Sequence, residues 1–191
     1  MAGCVPLHLH AAGLPGSLQT SNLETVIYGS DFFKPVAVLK VQKIFTDHRR
    51  MGFFRVKLLP VLVADGVHVE FTESRPQTNW LDGFRFDPAP GVARHAVEWR
   101  DFSVSFGRDP APRLRANRAH PTLNTDSIVC ALEGVTVQAG DQPLSLPKAE
   151  LRAEAQSGTV VWTRANEVIH LDLFTGQFST NSITEKSHEK L

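Results

Sequence analysis

Eight histidines and two cysteines carry most of the chemistry that this 191-residue sequence offers. His68 and Glu70, and likewise His170 and Asp172, have the i, i+2 spacing that puts both side chains on one face of a strand. A metal centre would need such pairs to converge from different strands. Both pairs fall on the polar parity, opposite Val67/Val69 and Ile169/Leu171, so solvated strand faces are the expectation. His8 and His10 would offer two ligands from an extended segment with no third nearby, and read as part of a solvated lead. His48, His95, His120 and His188 stand alone. Cys130 alternates with Ile128 and Leu132 and reads as a buried free thiol, and Cys4 as a free thiol in the lead. A disulfide between the two depends on a Cα separation that sequence does not give.

No P-loop, GxGxxG after a strand, HExxH, CxxC or GxSxG occurs. No catalytic residue, cofactor or metal is therefore assigned, and the chain reads as a binding or bridging protein, not an enzyme. Twenty basic and twenty acidic residues give a formal net charge of +0, and no dense basic run exists beyond residues 48–50 and 113–115, so no nucleic-acid partner is expected. No apolar run reaches the ~18 residues of a membrane-spanning helix, so no transmembrane span is expected.

These residues must be positioned by strands, because the apolar pattern has period two almost throughout. Residues 24–29 and 35–45 read as strands, the second with Ala37, Leu39, Val41, Lys43 and Phe45 inward. Residues 53–63 and 67–71 read as a hairpin turning at Asp65-Gly66. Within residues 95–106 the apolar parity switches between Trp99 and Phe102, which predicts a bulge at Arg100-Asp101. Gly134 shifts the phase again, between Ile128/Cys130/Leu132 and Val135/Val137. Residues 143–155 read as a strand, with a helical alternative for 148–155 that Pro147 and the short length disfavour. Residues 159–162 and 168–174 complete the set. A faint self-similarity sets Ala119, Leu123 and Ser127 against Ala149, Ala153 and Ser157.

The fold expected is one all-β domain, an antiparallel open jelly roll or sandwich of about 8–10 strands with little helix. It spans residues 23–176, between a flexible lead (1–22) and a flexible tail (177–191). Residues 72–94 form a long irregular stretch and a candidate sub-boundary. Its Trp80, Phe84 and Phe86 read either as a cap on one end of the sheet or as a lid over an opening.

Ala116 and Ala119, then Leu132, Gly134, Val135 and Val137, then Ala149 and Leu151, follow a strand cadence over about a third of the chain. The cadence resembles the OstA-like β-jellyroll proteins of lipopolysaccharide export and the AsmA-like lipid-transfer proteins. The resemblance implies an apolar groove for a lipid or glycolipid, lined by Trp99, Phe106, Leu132, Val135, Val137, Leu151, Trp162, Ile169 and Leu171. It also implies other envelope proteins as partners, joined by sheet-edge pairing, and a periplasmic or outer-envelope location; without a signal peptide the alternative is cytoplasmic. Residues 1–4 resemble the end of a bacterial lipoprotein cleavage site, which would make Cys4 a lipid anchor, although the apolar core of such a signal is missing. The alternative to a lipid-binding protein is a structural or protein-interaction sandwich without a ligand cavity.

Overall fold

The computed structural model describes residues 19–28, 34–47, 61–73, 97–107, 113–124, 127–139 and 142–182. Ten strands account for nearly all of them: β1 (Gln19–Tyr28), β2 (Pro35–Asp47), β3 (Val61–Phe71), β4 (Val97–Phe106), β5 (Leu114–Leu123), β6 (Ser127–Ala139), β7 (Gln142–Glu154), β8 (Ser157–Arg164), β9 (Glu167–Asp172) and β10 (Phe178–Ser182). They lie in one open sheet in chain order, from β1 at one edge to β10 at the other. The all-β expectation holds, but a single sheet replaces the two of a sandwich. Every pairing is antiparallel except β3 with β4, which run parallel. A parallel pair cannot be joined by a tight turn. The length of the stretch from 72 to 96 follows from that requirement.

One sheet can enclose a core only if it bends. In each pairing from β1 to β7 the ladder is interrupted at one level. The gaps fall between Ser21/Lys43 and Leu23/Val41, between Lys43/Asp65 and Val41/Val67, and between Asp65/Arg100 and His68/Ser103. They continue between Arg100/Arg118 and Phe102/Ala116, between Arg118/Glu133 and Ala116/Val135, and between Glu133/Lys148 and Val135/Leu146. The skipped residues form a line across seven strands: Asn22, Gln42, Gly66, Asp101, Asn117, Gly134 and Pro147. Four of them, Asn22, Gly66, Asp101 and Gly134, have positive φ, between 47° and 64°. Glycine, asparagine and aspartate are the residues that tolerate this left-handed region. At Gly66 an added Cβ would run into the Gln42 side chain, and at Gly134 into the Asn117 amide. The missing Cβ atoms let the neighbouring amides lie across the line.

Along this crease each strand turns two consecutive residues outward. Gln42 and Lys43 are exposed between buried Val41 and Ile44, and Asn117 and Arg118 are exposed between buried Ala116 and Ala119. Arg100 and Asp101 separate Trp99 from Phe102 in the same way, whose rings meet at 5.3 Å on the inner side. The parity switches expected at Arg100-Asp101 and Gly134 are therefore both present. Two expectations are corrected by the same feature. Asp65-Gly66 is not a hairpin turn, because β3 runs straight through it. In β2 the inward face is Ala37, Leu39 and Val41 but then Ile44, leaving Lys43 exposed and Phe45 on the outer face.

The crease folds the sheet into two flaps. The first holds residues 23–28, 35–41, 67–71, 102–106, 114–116, 135–139 and 142–146. The second holds residues 43–47, 61–65, 97–100, 118–123, 127–133 and 148–154, together with β8 to β10. Their inner faces meet in one core, in which Phe102, Leu114, Leu132, Leu171, Val135 and Val137 are almost wholly buried. Phe71 and Phe106 stack at 5.1 Å in the first flap, and Phe174 of the second meets them edge-on at 5.4 and 5.2 Å.

The strand limits correct the expected boundaries at both ends: β1 starts at Gln19, inside the expected lead, and β10 occupies part of the expected tail. Residues 143–155 form strand β7, not a helix. The faint self-similarity has a geometric basis. Ala119 faces Leu132, which faces Ala149, and Leu123 faces Ile128, which faces Ala153. Positions thirty apart therefore share one row of the sheet, two strands away.

Candidate functional site

The inner face was the expected ligand groove. Phe106, Leu132, Val135, Val137, Leu151, Trp162 and Leu171 are buried in the core between the flaps, and Trp99 and Ile169 are partly buried against it. All nine therefore share the inner face. The cavity among them is about 50 Å³ and wholly apolar, bounded by Val69, Phe102, Val104 and Phe106 on one side and Ile128, Cys130, Leu151 and Phe174 on the other. A dry cavity of ~150 Å³ is needed to hold benzene, and drug-sized ligands occupy ~300 Å³ or more. The residues expected to line a groove serve here as packing. Cys130 lies in it as a free buried thiol, and burial pushes its pKa up to about 12, so it is protonated and inert. Cys4 and the aromatics Trp80, Phe84 and Phe86 lie outside the described residues, as do residues 53–60.

Near Phe174 the two flaps are joined by the Arg113 side chain. Arg113 is tied to the first flap by its own backbone: its N–H donates to Val104 O at 2.8 Å, and its carbonyl accepts from Gln138 N at 2.9 Å. Its Nη1 crosses to the second flap and donates to Leu173 O at 2.7 Å and Phe174 O at 2.8 Å, while the guanidinium rests over the Phe106 ring at 4.9 Å. Asp172 shapes the receiving turn, its Oδ1 accepting from the N–H groups of Phe174 and Thr175 at 2.8 and 3.1 Å.

The outer face carries the polar groups. His68 stands there as expected, but is not simply solvated: its Nδ1 lies 2.8 Å from Ser103 Oγ and its Nε2 3.1 Å from Ser105 Oγ. Burial lowers its pKa below the ordinary imidazole value; Glu70 opposes that shift, and Lys40 and Arg115 add to it. A neutral ring suits this bridge, donating from one nitrogen and accepting at the other. Glu70 pairs with Lys40 at 2.9 Å and not with the histidine. The His68 bridge ties β3 to its parallel neighbour β4 on the outer face. Beyond the crease, Glu98 is buried at 6% exposure and accepts from Arg100 Nε at 2.8 Å, while Arg100 Nη2 reaches Asp47 at 2.8 Å. Burial by itself would raise the Glu98 pKa, but the hydrogen bond and charge of Arg100, with Arg118 beyond, hold it below the usual range.

Among the described residues, His170 and Asp172 do not join another histidine in a metal-binding group. They line a shallow depression of about 340 Å³ on the outer face of β8 to β10, with Thr159, Ser179 and Asn181. Among the described residues no three His, Cys, Asp or Glu side chains come together as a metal site, and no helix is long and apolar enough to cross a membrane.

The sheet edges complete the inventory. Val26 and Tyr28 on β1 and Phe178 on β10 are large apolar side chains left 39–48% exposed, and all three sit on the two edge strands. Sequence reading missed them: Val26 and Tyr28 belong to an ordinary strand pattern, and the polar string FSTNS hides β10. Arg113 was noted only as part of a small basic cluster, and the partners of His68 lie 35 and 37 residues away. No protein-family model, curated protein or solved structure matches the chain.

Proposed function

We propose that this chain is a non-enzymatic binding module that joins another protein by adding a strand to an edge of its sheet. The observation that supports this reading is the openness of the ten-stranded sheet, with exposed apolar side chains gathered on β1 and β10. An unpaired edge offers a row of backbone donors and acceptors to an extended segment. Natural edges are commonly blunted by lysine or proline. Residues 19–28 contain a single charge, Glu24, and β10 contains none. A photo-reactive amino acid at Val26 or Phe178, introduced in the native host, is expected to give a discrete protein adduct, while the same probe at Arg115 on the outer face is not. Adducts from Arg115 alone would overturn the reading.

A second reading is favoured by the wholly apolar lining of the interior: the module shelters an acyl chain of a lipid or glycolipid in the bacterial envelope, as the strand cadence implies. Each buried methylene would contribute about 0.8 kcal/mol. Native mass spectrometry of protein purified from its own host tests this reading, and a ligand-free mass in repeated preparations would remove it.

A further inference from the structure

We propose that the fold is a hinged clasp: the crease is its hinge, Arg113 its latch, and release of the latch opens the interior without unfolding the strands. The hinge is the line from Asn22 to Pro147, where pairing is interrupted at one level across seven strands. Bending a sheet elsewhere disrupts continuous pairing, and along this line the pairing is already interrupted. Four residues on the line hold positive φ, and Gly66 and Gly134 carry no Cβ to jam against Gln42 and Asn117. The flaps therefore have a built axis about which to rotate.

The latch is suited to reversible release. Arg113 is the residue whose side-chain hydrogen bonds cross from the first flap to the Leu173–Phe174 turn, and both end on main-chain carbonyls. Those carbonyls and the guanidinium can be satisfied by water once the turn lifts, so opening strands no buried charge. Beside the latch, Phe174 packs edge-on against Phe71 and Phe106, next to the apolar core that the two flaps share. Gly158 lets the Phe174 ring sit close, since a Cβ there would stand 3.3 Å from it. Opening would uncover the apolar inner face and, with it, Cys130. The clasp stands whether or not a lipid enters it.

Cys130 provides the readout, since its thiol is wholly buried when the flaps are shut. In a Cys4→Ser background, alkylation of Cys130 by N-ethylmaleimide is followed as a function of urea, alongside equilibrium unfolding. The expected result is a rate that depends on urea much less steeply than global unfolding does. Arg113→Met is expected to accelerate alkylation in the absence of urea roughly tenfold to a hundredfold, the range for losing charged hydrogen bonds, with the shallow urea dependence retained. Arg113→Lys, which keeps a donor, should fall between. A urea dependence matching global unfolding, or alkylation no faster in Arg113→Met than in the parent protein, would overturn the clasp. Titration of the same proteins with the fluorescent fatty acid cis-parinaric acid separates the issues: opening without uptake removes the lipid reading and leaves the clasp intact.

Discussion

Gly107 and Gly134 have nearly the same backbone, with φ of 60° and 61°, but different surroundings. An alanine at either position meets the ordinary penalty for the left-handed region, about 1–2 kcal/mol. At Gly107 nothing lies within 4 Å of the added carbon, whereas at Gly134 it meets Asn117. Gly134→Ala should therefore lower the urea midpoint clearly more than Gly107→Ala, and Asn117→Gly in the Gly134→Ala protein should recover part of the difference. Equal losses at the two sites would mean that the amide does not matter. His68 supports a second prediction. Because burial holds its native pKa below the unfolded value near 6.5, the unfolded chain takes up the proton first as pH falls. Stability is then full above pH 6.5 and declines as pH drops toward the native value. Urea melts at pH 7.5 and pH 5 should show this loss, and His68→Gln should flatten it. Glu98 acts in the same sense, in the carboxyl range. Its native pKa is depressed, so it stabilises the fold above the unfolded carboxyl value, and that contribution is lost as pH falls through the native one. Removing Arg100 leaves burial to dominate. Arg100→Met should cost roughly 1–3 kcal/mol at neutral pH, and part of the loss should return on mild acidification.

At the scale of elements, the crease decides which expectations from sequence succeed. Strands β2 to β7 each show an apolar pair flanking two residues at the crease, as in Val41-Gln42-Lys43-Ile44 or Leu132-Glu133-Gly134-Val135. Where large apolar residues flank the pair, as at Trp99 and Phe102, the switch is readable from one strand. Where the outward pair is Asp65-Gly66, the same signal coincides with hairpin chemistry, and only the register with β2 and β4 separates the two. β10 escapes notice for a different reason: an edge strand needs one partner only, and its residues are all exposed. The two edges make their own prediction. Val26→Lys should change stability by no more than about 0.5 kcal/mol, as exposed substitutions usually do. It should nevertheless abolish the adduct formed from a Tyr28 probe if β1 is the docking edge, and leave the adduct formed from a Phe178 probe unchanged if β10 is.

At the scale of the molecule, chain-order topology makes most pairings local, and local pairings form quickly. The β3–β4 pair is the exception, because its partners join only after residues 72–96 have closed a long loop. That pairing was not legible in the sequence for the same reason: no periodicity within a strand reveals whether a distant strand runs with it or against it. The fate of the groove residues was hidden likewise. Their parity correctly put all nine on the inner face, but whether that face meets solvent or itself depends on a fold line assembled from seven strands.

The thirty-residue register also bears on how such a molecule can change size. Because Ala119 and Ala149 occupy one row, as do Leu123 and Ala153, a copied β5–β6 hairpin of the same length would place its small and apolar residues in rows that already exist. The outward pair of each new strand would fall on the crease. Lengthening by duplication would keep the rows and the crease, while the contact of Phe174 with Phe71 and Phe106 would have to be rebuilt across a wider sheet.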